Sequence, residues 1–222
     1  MKTHVSRKVF LTGSTGYLGR PLVARLLARG HVVSALVRPG STSRLPGGAL
    51  RVVGDPLRAE TFAGAVGPSD TLVHLVGTPR PSPAKAAEFR AVDLPSVRAA
   101  VDAARAAGVR HLIYVSVAHP APVMRAYIAV RQEGERLIRA SGLAATILRP
   151  WYVVGPGHRW PYLLLPIYAL LGRLPGTREG ARRLGLVTLE QMLRALLRAT
   201  EEPPAGVREI DVPQIREDRP WR

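Results

Sequence analysis

A strand-like apolar run, a turn carrying three glycines and a helix-like repeat follow one another without a break in FLTGSTGYLGRPLVARLLARG, Phe10 to Gly30. Lys8 to Thr12 reads as a buried strand. Leu18, Leu22, Val23, Leu26 and Leu27 then recur at helical spacing until Gly30 stops the helix. Where a strand turns tightly into a helix, unpaired N–H groups and the positive end of the helix dipole stabilise an anion, provided that no side chain bars its approach. Gly13 then permits the turn, Gly16 the close approach of a pyrophosphate, and Gly19 the packing of the helix on the sheet. The spacing points to a dinucleotide site in the first unit of a parallel sheet.

The rest of the chain repeats the alternation. Strands are expected at His31 to Val37, Leu50 to Gly54, Thr71 to Val76, His111 to Val115 and Leu143 to Leu148, apolar without alternation, as strands buried on both faces are. Between them lie helix-like pieces at Ala59 to Val66, Lys85 to Ala107 and Met124 to Ser141, the last two closed by Gly108 and Gly142. Six strands with helical crossovers imply an α/β fold: a Rossmann doubly wound parallel sheet with helices on both faces. Beyond Pro150 the composition shifts to Pro, Gly, Trp, Tyr and Arg, which reads as a small C-terminal cap over 151–187 rather than a second domain. Thr188 then caps a helix bearing Leu189, Met192, Leu193, Leu196 and Leu197 on one face, a short strand follows near Val207 to Val212, and REDRPWR reads as a loose tail. We expect one domain spanning 1–222.

A formal charge of +16 arises from 32 Lys plus Arg against 16 Asp plus Glu. The cations are scattered over nearly every segment instead of gathered in a run with interleaved aromatics, so nucleic acid is not the expected partner. Anionic small ligands remain attractive. With no cysteine, thiolate metal sites and disulfides are excluded, and the six histidines lack the paired spacing of a metal site. MKTHVSRKVFLTG has no signal-peptide pattern and no apolar run reaches the length of a membrane span, so a cytoplasmic location is expected. Nothing in the pattern defines an oligomeric state.

TGSTGYLG resembles the TGxxGxxG cofactor loop of the extended and atypical short-chain dehydrogenases, including the NmrA-like group, epimerase-dehydratase-like proteins and the NADPH-binding accessory subunit of respiratory complex I. VVSALVR, VVGDP, LVHLVG, GVRHLIYVSV and ILRPWYVVGPG extend the resemblance, in register, over nearly the whole chain. It implies that Gly13, Ser14, Thr15, Gly16, Tyr17, Leu18 and Gly19 form the cofactor loop. Asp55 and Pro56 would flank the adenine, Leu75, Val76 and Gly77 the ribose wall, and Pro150 the same site, although Asp55 before Pro56 also suits an ordinary turn. Arg38 stands at the end of the second strand, where an NAD enzyme carries an acidic residue for the ribose hydroxyls. A guanidinium there suits a 2′-phosphate, favouring NADP(H) over NAD(H), the alternative being a solvated arginine.

Hydride transfer to a carbonyl leaves an alkoxide in need of a proton. In the resembled family a Tyr, assisted by a Lys four residues on and by a Ser after the fifth strand, supplies it. Here Ser116, Tyr127 and Arg131 occupy those places. The arginine is a departure: its charge can serve Tyr127 and the ribose, but it does not deprotonate. Alternatively, Arg131 forms a solvated i,i+4 pair with Glu135 and Tyr127 merely packs on the cofactor. The expected activity is NADP(H)-dependent oxidation or reduction of a small, largely apolar substrate, with a non-catalytic NADP(H)-binding sensor or assembly factor, or an epimerase or dehydratase, as the other readings. Trp151, Tyr152, Trp160, Tyr162 and Tyr168 suggest an apolar pocket, Arg159, Arg173, Arg178, Arg182 and Arg183 an anion, and 160–172 allows peripheral membrane contact.

Overall fold

The computed structural model describes residues 5–41, 45–157, 178–217 and 221. Its centre is a sheet of seven parallel strands. In chain order these are β1 (Lys8–Thr12), β2 (Val32–Val37), β3 (Leu50–Val53), β4 (Thr71–His74), β5 (His111–Val115) and β6 (Ala144–Arg149), followed, after a two-stranded parallel ribbon of β7 (Tyr152–Val154) and β8 (Leu186–Thr188), by β9 (Val207–Asp211). They lie in the order β3-β2-β1-β4-β5-β6-β9. The chain therefore runs outward from β1 on one side and returns to β4 on the other. Such a reversal opens a crevice beyond the carboxyl ends of the two strands, here at the register Leu11↔Val73 and Thr12↔His74.

Alternate strand side chains feed two cores, because successive residues of a strand point to opposite faces. Val9, Leu11, Val33, Val73, Ile113 and Leu148 pack with helices α1 (Gly19–Ala28) and α6 (Leu189–Glu201). Phe10, Leu72, Leu112, Tyr114 and Ile147 face α2 (Ala63–Val66), α3 (Leu94–Ala106) and α4 (Arg125–Ala140). Two further helices are α5 (Arg178–Arg183) and α7 (Val212–Arg216). Thr188 caps α6 as expected: its hydroxyl accepts from the Gln191 N–H at 3.1 Å and the Gln191 side chain accepts in return at 2.8 Å.

Three expectations need correction. The helix anticipated over Lys85 to Ala107 is interrupted by a π turn, Phe89–Asp93, ahead of α3. Pro95 has no N–H to return to the carbonyl four residues back, so a regular ladder cannot run through it. The fourth strand stops at His74: Leu75 still donates its N–H to the Thr12 carbonyl at 3.2 Å, and Leu75 to Gly77 then line the crevice. The tail is not wholly loose either: Arg216 ends α7 and donates to the Leu186 carbonyl at 2.7 Å, while the Trp221 indole donates to Gln214 and lies beneath Arg198, 5.3 Å from ring centre to guanidinium. Of the cap, Val187 is fully buried in the main core and Trp151 packs edge-on against Tyr152 at 5.4 Å. Arg159, Trp160, Tyr162, Tyr168, Arg173 and the segment 160–172 lie outside the described residues.

Candidate active site

The turn after β1 is shaped by what its glycines lack. Gly13 has φ +74°, and a Cβ on it would lie 2.8 Å from the Leu75 carbonyl carbon, so the backbones of the β1 and β4 loops touch there. A Cβ on Gly19 would lie 2.1 Å from the Gly13 carbonyl oxygen. Gly19 is thus required by the turn folding back on its own helix more than by helix against sheet. Gly16 is different. Its N–H donates to the Gly13 carbonyl at 3.1 Å, and a Cβ would meet only that oxygen, at 3.2 Å. No side chain caps the amino end of α1 and no acidic residue occupies its first turn, leaving the positive end of the dipole open to an anion.

Beside this turn lies a cleft of about 410 Å³. Gly13, Thr15, Gly16, Arg38, Asp55 and Pro56 line it, as do Leu75, Val76 and Gly77. Segments separated by more than sixty positions in the chain are brought to one place by the strand order β3-β2-β1-β4. Among the described residues of the lining, Arg38 is the one cation and Asp55 the one anion. Asp55 also forms the turn anticipated as its alternative, accepting from the Leu57 N–H at 3.0 Å. Leu36, Leu57, Pro79 and Val92 complete the wall and carried no signal in the sequence beyond their apolarity. Ser14 does not line the cleft: it is fully buried and its hydroxyl donates to the Leu36 carbonyl at 2.6 Å, tying the turn to β2. Tyr17 faces the far side of the turn, Leu18 packs on the core, and Gly19 and Pro150 are buried.

The groups expected to do chemistry are held by two buried charge networks. Arg131 does not form the solvated pair with Glu135. Its side chain is 7% exposed and lies 2.7 Å from the Asp93 carboxylate, while donating to the Val115 carbonyl at 3.0 Å and contacting the Tyr114 hydroxyl at 3.4 Å. Burial opposes its charge, but Tyr127, Tyr114 and Asp93 outweigh that and raise its pKa above the usual guanidinium range. The guanidinium sits over the Tyr127 ring, 5.1 Å from its centre, and Phe89 packs on the same ring at 4.9 Å. Ser116 is 2% exposed and donates its hydroxyl hydrogen to Glu135 at 2.6 Å. With that hydrogen committed, Ser116 has only lone pairs to offer another group. Glu135 also accepts two bonds from Arg149 and one from Arg139. Burial pushes its pKa up, yet these donors prevail and bring it down to about 2.

Comparison with known proteins gives the chain a family. The family model for NAD(P)H-binding proteins matches residues 13–158, from the first glycine of the turn to beyond β7. This chain belongs to the NAD(P)H-binding family. A 3-diazoavenalumate denitrifying reductase of Streptomyces sp is 31% identical over 90% of this chain and 74% of its own. The ceramide reductase of Caulobacter vibrioides is 29% identical over 98% and 68%. The fold is also that of the Bordetella bronchiseptica enzyme WbmH in complex with NAD+, with TM-score 0.70 and 22% identity over 93% of this chain and 76% of WbmH. Short-chain dehydrogenase-like architecture and kinship with reductases are therefore properties of this NAD(P)H-binding protein.

The residues present fit a nicotinamide dinucleotide. Three glycines, 13, 16 and 77, leave backbone open in the lining, with apolar walls for flat rings around them. Beneath Gly77, the Arg131 Nε is buried without a hydrogen-bond partner, and a Cβ at Gly77 would lie 2.2 Å from an Arg131 nitrogen. The floor is stiffened by His74. Ser96 donates its hydrogen to the Asp93 carbonyl at 2.8 Å, so His74 Nε2 must be the donor to Ser96 at 3.2 Å and Nδ1 the acceptor from Thr12 at 2.9 Å. Burial, with Arg131 nearby, lowers the His74 pKa to about 3 and keeps the ring neutral. None of Asp93, Thr78 and Phe89 was signalled by the sequence, because each acts through contacts that the fold makes between separate segments.

Proposed function

We propose that the protein is an NADP(H)-dependent oxidoreductase that interconverts a carbonyl and an alcohol on a small, largely apolar substrate. The observation that carries this reading is the cleft itself: the glycine turn and Arg38 open on one cavity, with no carboxylate at the end of β2. An arginine there suits a 2′-phosphate, whose oxygens its planar donor fork can engage in pairs. The kinship with reductases supports the reaction class, and a relative named for ceramide, a lipid, supports an apolar substrate.

When bound, the nicotinamide supplies or accepts the hydride. The chain's part is to hold the nucleotide across the glycine turn, to keep the carbonyl oxygen beside Tyr127, and to give that oxygen a proton from the Tyr127 hydroxyl as it becomes an alkoxide. Arg131 supports the ring from one side and Phe89 packs against it as well. Ser116 has no hydrogen for the substrate while Glu135 holds it, which favours a second reading, a non-catalytic NADP(H)-binding protein.

Calorimetric titration with NADPH and NADH, repeated with Arg38→Ala, tests the cofactor. The expected outcome is tight NADPH binding that weakens about tenfold in the variant, a loss of about 1.4 kcal/mol, with NADH little affected. Equal affinities for both nucleotides in the wild type would remove Arg38 from the argument. Turnover over a carbonyl panel separates the two readings: the enzyme loses activity as Tyr127→Phe, and a chain that reduces none of the panel is a binder.

A further inference from the structure

The π turn ahead of α3 places both of its ends on Tyr127. Phe89, its first residue, packs its ring against Tyr127 at 4.9 Å with the planes 56° apart. Asp93, its last residue, is fully buried and reaches the same tyrosine through Arg131. One Asp93 oxygen accepts from the Thr78 N–H at 3.0 Å and from the Thr78 hydroxyl at 2.6 Å; the other lies 2.7 Å from the Arg131 guanidinium. Thr78 follows Gly77 directly in the chain, and Gly77 lines the cleft. The carboxylate thus joins the cleft wall to the cation beneath the Tyr127 ring.

We propose that Asp93 is a positioning residue for Tyr127: by clamping Arg131 between Thr78 and the Val115 carbonyl, it holds the guanidinium face against the tyrosine ring and fixes where the phenol stands. The clamp leaves Arg131 little freedom. One terminal nitrogen is engaged by Asp93 and the other by Val115 and Tyr114, and the absence of a Cβ at Gly77 makes room for the first. Its face is what remains for Tyr127. This inference rests on the oxidoreductase reading only where turnover is concerned; the placement of the ring stands or falls by itself.

The test uses the full chain with 3-fluorotyrosine incorporated at position 127, read by fluorine NMR, in the wild type, in Asp93→Asn and in Asp93→Asn/Arg131→Gln. Asp93→Asn keeps the shape and an acceptor for Thr78 but removes the charge that holds Arg131. Its resonance is expected to shift and broaden, and its kcat on the carbonyl panel to fall by about tenfold to a hundredfold, the scale of a small misplacement at a reacting centre, with NADPH affinity unchanged. The double variant removes both charges, so it regains thermal stability if Asp93→Asn loses it, yet it keeps the displaced resonance and the low kcat. A merely charge-balancing role predicts recovery of the wild-type resonance together with stability, and that result overturns the proposal. So does a resonance unmoved in Asp93→Asn. If Asp93→Asn does not fold, the double variant carries the same comparison. Wild-type turnover retained in Tyr127→Phe defeats the assigned chemistry, whereas the resonance still decides whether Asp93 places the ring.

Discussion

The glycine-turn end of the cleft and the α4 end are built on opposite principles. At the first, between β1, β2 and β4, the decisive feature is missing side chain: Gly13 and Gly19 let backbone meet backbone, and Ser14 spends its only polar group on tying the turn to β2. At the second, beneath Tyr127, the decisive feature is buried charge. Asp93 pairs with Arg131, and Glu135 with Arg149, where little water reaches, and Arg139 joins Glu135 from the exposed side. The contrast teaches that an open cleft is made by leaving side chains out, whereas a rigid support beneath it is made by immobilising groups that are costly to bury. It follows that the first end tolerates little added bulk and the second little change of charge.

The largest effect is expected at the second end. Glu135→Ala leaves Arg149, whose side chain is 11% exposed, without its buried partner, and strands the Ser116 hydroxyl and one bond of Arg139. Loss of one member of such a buried pair costs about 3–5 kcal/mol, measurable as a lower urea midpoint. A variant as stable as the wild type would show that the network is dispensable, and the contrast with the glycine end would collapse. Next comes Gly13→Ala. Its left-handed backbone costs about 1–2 kcal/mol with a Cβ, and the clash with Leu75 adds about 1–3 kcal/mol. Thermal unfolding reads the sum.

Acid acts on the sheet through two neutral buried histidines. His74 lies under the cleft, and His111, hydrogen-bonded to Thr146 at 3.0 Å, lies at the opposite end of the sheet. Burial lowers each from 6.5 to about 3, helped by Arg131 at His74 and by Arg7 and Arg208 at His111. The unfolded chain therefore binds more protons between these values, and stability present above pH 6.5 is lost as the pH falls toward 3. Between pH 7.5 and 5.5 the loss amounts to about 1.4 kcal/mol for each histidine, so acid unfolding should begin above the carboxylate range. Denaturant midpoints that stay level down to pH 5, in the range where only the histidines titrate, would show that one or both rings already carry a proton in the fold. The smallest effect on stability belongs to Gly16→Ala, whose Cβ meets only the Gly13 oxygen at 3.2 Å. Stability should change by less than about 1 kcal/mol, while a methyl group in the anion path weakens NADPH about tenfold in the same calorimetric titration. Equal losses of stability and affinity would mean that the two outer glycines and the middle one serve the same purpose.

What could be read along the chain divides in the same way. The strands at Lys8 to Thr12 and His111 to Val115, the glycine spacing and the helix cap at Thr188 are local patterns of period and turn chemistry, and each forms where its residues announce it. Most of the expected cofactor residues converge on one cleft because strand polarity and order bring the loops together. Ser14 and Pro150 belong to the same motifs, but they turn inward, since a motif does not say which way each side chain points. Ser116 and Arg131 have the expected sequence positions and unexpected partners.

By itself the sequence determined the class of fold, the position of the crevice and the kind of ligand it admits. These depend on hydrophobic period and on glycine where a Cβ cannot stand. Only the tertiary structure decided which charges meet. Asp93 finds Arg131 across 38 positions through a π turn that Pro95 imposes, and Glu135 finds Arg149 from the adjoining strand. The physical reason is that a buried charge must be paired at short range, and the partner is chosen by packing in space and not by distance along the chain.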